Sequence, residues 1–227
     1  ERLICNEEVA GSKPAGSTNP IQYMNIELPE NTPETLSQPS VQDAIQEDVE
    51  SILAIQSGKV IVPENEETQA GESGFLIYPI SAGELLRIVE DNKNHIVKVA
   101  RENGRVVGHL ISYDISEWEK AHSGWISRLD AEEKYKEFLR NEKVLYGRHI
   151  AVDESASSHG IGNMLLDATL QEAVTRGYRY FVVEVLKKPI ENIRSINFLQ
   201  KTKFVLIGQS NDDNGRVWSV FLKDLSN

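Results

Sequence analysis

Two stretches of this sequence hold residue types at spacings that could do chemistry. Gly160-Ile161-Gly162 opens an apolar-periodic run and directly follows an alternating run, Val144 to Val152, and a turn of small polar residues, Asp153 to Ser158. A strand, a short turn and a helix start make an anion site on simple grounds. The first N–H groups of a helix have no partner inside it, and the helix dipole adds partial positive charge there. Glycine lets an anion come close to the backbone. The same pair also serves a plain turn, so the flanking sequence has to decide. The second stretch is Phe181-Val182-Val183-Glu184-Val185, a lone carboxylate in an apolar run. A buried carboxylate is costly unless it serves a reaction or finds a partner; Arg148 and Arg179 are the candidate partners at the strand ends.

The elements that must position these residues can be read from periodicity. Val144–Val152 alternates as a strand, and Ile161, Met164, Leu165 and Ala168 share one face of the helix that follows. Gly177 stands where that helix should stop. Tyr178 to Val185 reads as a buried strand and Pro189 to Thr202 as a second helix. Phe204 to Gly208 and Val217 to Leu222 close as an antiparallel pair across the turn Asn211 to Gly215. Upstream, Phe75 to Ile80 reads as a strand. Ser81 with Glu84 makes a capping box for the next helix. His95 to Arg101 and Arg105 to Ile115 flank Asn103-Gly104, a two-residue hairpin signal. Ser116 to Asn141 is a helical insert whose Trp118, Trp125, Tyr135, Phe138 and Leu139 favour core over ligand contact.

The chain has 227 residues, 40% hydrophobic and 26% charged, as expected of a globular protein. No apolar run approaches the roughly 20 residues of a membrane span. No signal peptide is visible, and the single Cys5 permits neither an intrachain disulfide nor a cysteine metal cluster, which suits a cytoplasmic protein. The chain opens on Glu1, as a segment of a longer one would. Net charge is −11, and the first 73 residues carry 14 acids against 3 bases while the rest carries 21 of each. Nucleic acid is thus not an expected partner. Residues 1–73 read as an acidic extension, low in apolar groups to residue 40, with one short strand at Ile21–Ile26. Ser40 is the expected N-cap of one amphipathic helix over about 40–57, packing on the following domain or on a second copy in a homodimer. Glu64 to Ser73 reads as a polar loop, and residues 74–227 as the main domain.

The run Ile150-Ala151-Val152-Asp153 through Gly160-Ile161-Gly162 to Met164-Leu165-Leu166 resembles the acetyl-CoA segment of the GNAT acyltransferases. Ser157 departs from it, standing where that family usually has Gln or Arg. A second signature agrees: Asn192, Ser195, Phe198, Leu199, Lys201, Lys203 and Phe204 fall in the register of the family's last helix. The resemblance covers Gly74 to about Leu225. It implies an α/β (α+β) GNAT fold, with a central mixed, mostly antiparallel sheet of about seven strands flanked by helices.

It also implies acetyl-CoA as co-substrate, no metal, and transfer to a primary amine on a small molecule or peptide, with no membrane partner. In the family, the fourth and fifth strands splay apart, and pantetheine pairs with the freed backbone groups. Ile150, Ala151 and Val152 would line that arm, with one N–H holding the thioester oxygen. Ser157, Ser158, His159, Gly160, Ile161, Gly162 and Asn163 would take the pyrophosphate, and Asn192, Ser195 and Phe198 would face the arm from the last helix. Glu184 matches a family general base. Leu199 stands where many members have a Tyr that protonates the leaving thiolate. Either the thiolate leaves unaided, or Tyr146 or His149 donates, or the protein does not transfer to an amine. A non-catalytic acyl-CoA-binding module and a GNAT-like enzyme with a non-amine acceptor are the alternatives.

Overall fold

The computed structural model describes residues 38–65, 70–157 and 159–226. The strand expected at Ile21–Ile26 lies outside them, as does Ser158. The strands are β1 (Ser40–Asp43), β2 (His95–Glu102), β3 (Arg105–Asp114), β4 (Asp130–Ala131), β5 (Val144–Val152), β6 (Tyr180–Lys188), β7 (Val205–Asn211) and β8 (Val217–Asp224). The helices are α1 (Val49–Ser57), α2 (Ala70–Ser73), α3 (Ala82–Glu90), α4 (Ile115–Ala121), α5 (Trp125–Arg128), α6 (Glu133–Asn141), α7 (Ile161–Thr175) and α8 (Ile193–Lys201). The strands form one sheet in the order β1-β2-β3-β5-β6-β8-β7-β4. Every neighbouring pair is antiparallel except β5 and β6, so the sheet is mixed and mostly antiparallel, as expected, with eight strands rather than about seven.

Two expectations fail, each for a visible reason. Ser40 does not cap a helix; Ser40–Asp43 instead pairs antiparallel with Lys98–Arg101 on the edge of β2. The helix begins at Val49, because the chain turns a corner first. Ile45 is extended, its N–H donates to Asp48 Oδ2 at 3.1 Å, and Arg101 on β2 holds the other oxygen of that buried carboxylate. Phe75 to Ile80 is not a strand: only Leu76 makes an isolated bridge, parallel to Val60. Side-chain amides serve its backbone instead. Gln56 bonds both the N–H and the C=O of Ile80, and Asn192 Nδ2 donates to the Phe75 carbonyl at 3.0 Å. Glu64 to Ser73, expected as a loop, contains a 3-10 turn at Pro63–Asn65 and the short α2.

The core lies on both faces of the sheet. On one, α7 and α8 bury Ile161, Leu165, Leu166 and Leu199 against Leu110, Leu145 and Phe181. On the other, α1 and α3 bury Ile52, Ile55, Leu85 and Ile88 against Val99 and Ile111. Further along that face, α5 and α6 cover Tyr146, Val182 and Val220 with Trp125 and Leu139. Gly108 sets the seat of α7. A Cβ there would meet Ile161 Cγ2 at 3.0 Å and the Ala151 carbonyl at 3.1 Å, so a side chain at this position would push the first turn of α7 back by a few tenths of an ångström.

Candidate active site

β5 and β6 run side by side only from Val144↔Tyr180 to Gly147↔Val183. Beyond that pair β5 continues through Ile150, Ala151 and Val152, bonded among the described residues to β3 alone, while β6 continues along β8. The facing edges of the two strands are therefore unpaired where they diverge. Gly147 fits this point. A Cβ there would stand 2.7 Å from both Phe181 Cε2 and Val183 Cγ1, the side chains that fill the floor of the split. A cavity of about 580 Å³ occupies the divergence, with Gly147, Ile150, Val185, Ser195 and Phe198 in its walls. It extends past the split to Tyr78, Trp118, Trp125, Glu184 and Asp212.

None of the described residues in 151–163 lines this cavity; the turn into α7 adjoins it through Phe198. Gly160 has φ +74°, a conformation that suits glycine, and a Cβ there would meet none of the described residues within 4 Å. The N–H of Asn163 turns back to the Gly160 carbonyl at 3.0 Å. Phe198 of α8 lies over the first turn of α7, its Cε2 at 3.5 Å from where a Gly162 Cβ would be, so the two signature helices meet at the cavity. Ser157 donates its N–H to the Glu154 carbonyl and is exposed. His159 sets Nδ1 against Glu102 Oε1 at 3.0 Å. Asn192 is the N-cap of α8: Oδ1 accepts from the Ser195 N–H at 3.2 Å while Nδ2 holds the Phe75 carbonyl.

At the far end of the split, Glu184 is half-buried and accepts three hydrogen bonds: Trp125 Nε1 at 3.0 Å, the Tyr146 hydroxyl at 2.8 Å, and the Ser210 hydroxyl. Neither Arg148 nor Arg179 pairs with it. Burial pushes its carboxyl above the usual carboxylate range, and the three donors oppose that rise. Burial, with the Glu184 charge, pushes the Tyr146 phenol well up. His149 is buried and lies in the wall of the cavity. Burial, with Arg148 beside it, brings its pKa down to about 3, so the ring is neutral. Leu199 is buried and brings no hydroxyl to the cavity it lines. The sequence did not point to Ser210 at all, because its reach to Glu184 runs across β8, which pairs with β6 on one side and β7 on the other. Trp125 was legible as an aromatic but not as a donor to Glu184.

The model of the acetyltransferase (GNAT) family matches residues 64–204. The chain belongs to the GNAT acetyltransferase family. Its fold is that of solved GNAT structures. Ard1 from Thermoplasma volcanium superposes with a TM-score of 0.56 at 16% identity, over 84% of this chain and 100% of that one. An N-acetyltransferase from Staphylococcus aureus Mu50 gives 0.55 at 22%, over 84% and 100%. yncA, a putative acetyltransferase from Salmonella typhimurium solved with its cofactor acetyl-CoA, gives 0.57 at 16%, over 84% and 96%. At these identities the likeness is one of fold. No curated protein sequence gives a significant match. Among the described residues, no helix of this GNAT protein is long and apolar enough to cross a membrane, and no group of three or more His, Cys, Asp or Glu is placed to hold a metal ion.

Proposed function

We propose that this GNAT protein is an acetyl-CoA-dependent N-acetyltransferase acting on a primary amine by direct transfer in a ternary complex. One observation carries the reading: β5 and β6 part after Gly147 and Val183, and a cavity opens between their unpaired edges. An amide chain such as pantetheine satisfies such edges as an added strand would. Backbone groups of Ile150, Ala151 and Val152 hold that arm, and the Gly160–Asn163 turn, with the dipole of the fifteen-residue α7 behind it, holds the pyrophosphate. Acetyl-CoA supplies the acyl group in activated form, as a thioester.

The protein's own work is positioning and proton handling. Glu184 takes the proton of the ammonium, for which its raised pKa suits it. The amine nitrogen then bonds to the acyl carbon as the C–S bond breaks; the electron pair leaves on sulfur, and the second proton of the nitrogen passes to that thiolate, giving amide and CoA thiol. A thiol of pKa about 8.5 leaves without a strong acid. That fits a site in which Leu199 offers no proton and Tyr146 holds its own tightly.

A second reading has one observation in its favour. Glu184 is engaged by three donors and Leu199 lacks a hydroxyl, as in a module that binds acyl-CoA without turning it over. Thiol release separates the two. With acetyl-CoA and a panel of primary amines, the enzyme frees CoA thiol in an acceptor-dependent way. Tight acetyl-CoA binding with no thiol released by any amine supports the module.

A further inference from the structure

Arg148 and Glu184 are the first residues past the last β5–β6 pair, one on each strand. In a continued parallel pairing they would face each other, and opposite charges so placed would form an ion pair. They do not. Glu184 is taken by Trp125, Tyr146 and Ser210. Arg148 makes one long hydrogen bond, from Nη1 to the Tyr113 hydroxyl at 3.4 Å, and among the described residues no carboxylate pairs with it. Glu84 on α3 acts on it only at longer range. Yet the guanidinium is half-buried, and both side chains line the same cavity. A desolvated cation without a counter-charge is expensive to keep.

A second donor in the same wall is also idle. Trp118 Nε1 is buried and has no acceptor among the described residues, while its ring stacks on Tyr146 at 4.4 Å between centroids. Tyr146 in turn lies within reach of both charges, bonding Glu184 and feeling Arg148. At the split the cavity thus sets a carboxylate on β6 against an unpaired guanidinium on β5, with the Trp118 N–H free beside Tyr146; Arg128, Asp212 and Asp213 stand elsewhere in its walls.

We infer that the acceptor is an amino acid, whose carboxylate is held by Arg148 while its amine faces Glu184 at the split. This rests on the N-acetyltransferase reading and deepens it. A planar guanidinium matches a carboxylate edge to edge, and the pair would satisfy the Arg148 charge. Trp118 Nε1 supplies a further donor on the same side. A plain amine would leave Arg148 uncompensated, so the site selects for the carboxylate as well as the amine.

The test compares matched acceptors: L-phenylalanine with phenethylamine, L-leucine with isoamylamine, L-lysine with cadaverine, and a dipeptide whose carboxylate lies one residue further from the amine. For wild type, kcat/KM favours the free amino acid over its decarboxylated partner by roughly ten- to hundredfold, as loss of a charged hydrogen bond would give. Arg148→Gln collapses that ratio, and Arg148→Lys leaves an intermediate one. The dipeptide ranks with the amino acids if a carboxylate at either distance is read, and with the amines if the free amino acid is required. Equal rates for amino acids and amines, or an equal ratio in Arg148→Gln, overturn the inference and leave the acetyltransferase reading standing. If no acceptor releases thiol, that reading falls. The inference is then judged on binding: saturable quenching of tryptophan fluorescence by L-phenylalanine, weakened in both Arg148 variants, supports it, and its absence in wild type overturns it.

Discussion

The Tyr146 hydroxyl on β5 donates to Glu184 Oε2 on β6 at 2.8 Å, and the two residues straddle the last paired position of the strands, Gly147↔Val183. The bond spans the root of the split. It ties that carboxylate to the strand whose far end serves the proposed pantetheine arm.

Glu184 sets the acid limb of the rate. Burial raises its folded-state pKa, and the base is the ionised form, so activity is present above that raised pKa and lost as pH falls through it. The limb lies above the range of an ordinary carboxylate. Glu184→Gln lowers kcat by roughly 10²–10⁴ and removes the limb, read in pH profiles of kcat/KM. Glu184→Ala also destabilises the protein by about 2–4 kcal/mol, because Trp125, Tyr146 and Ser210 lose their acceptor.

Gly147→Ala disturbs the floor of the split. The new Cβ would stand 2.7 Å from Phe181 Cε2 and Val183 Cγ1, so both side chains must move. Such overpacking costs about 1–3 kcal/mol in denaturant melts. Acetyl-CoA affinity falls with it, since those side chains line the cavity.

Lys203→Gly stabilises the protein. α7 and α8 end in the same way. In α7, Gly177 N–H bonds the Val174 carbonyl and Tyr178 N–H the Ala173 carbonyl; in α8, Lys203 N–H bonds Gln200 and Phe204 N–H bonds Leu199. Gly177 sits at φ +79° at no steric cost, whereas Lys203 is held at φ +66°. Left-handed backbone costs a side chain about 1–2 kcal/mol, and glycine's extra chain entropy returns about half, so a gain of about 0.5–1 kcal/mol is expected in chemical melts.

Those two helix ends illustrate what the sequence made legible. Gly177 marked a stop because only one residue type takes that conformation freely. The position of Lys203 was legible only from the family signature, which usually has glycine there. The hairpin at Asn103-Gly104 was equally plain, with φ +51° and +77° at the two residues. Local conformational rules carried these elements. Where tertiary partners decide, sequence alone fell short. Ser40 has the chemistry of a helix cap but meets the free edge of β2. Phe75–Ile80 has the pattern of a strand, but Gln56 and Asn192 satisfy its backbone. Glu184 stood out as a carboxylate in an apolar run. Its partners come from α5, β5 and β7, far apart in the chain, and no spacing rule links them.

Stability falls in mild acid. His109 and His149 are buried on β3 and β5, and among the described residues neither ring nitrogen of His109 nor Nδ1 of His149 has a partner. Burial brings their pKa values down to about 4 and about 3. Both folded values lie below the unfolded value, so protonation favours the unfolded chain. The stability is complete above about pH 6.5 and is lost as pH falls from there toward about 4. Melting temperature drops across that window, and His109→Leu flattens the drop.

Backbone amide exchange tests the split most directly. Measured with and without acetyl-CoA, the amides of residues 148–152 and 159–164 slow markedly on binding, because the free edge of β5 and the first turn of α7 acquire partners. Unchanged exchange in both segments at saturating acetyl-CoA would contradict the account.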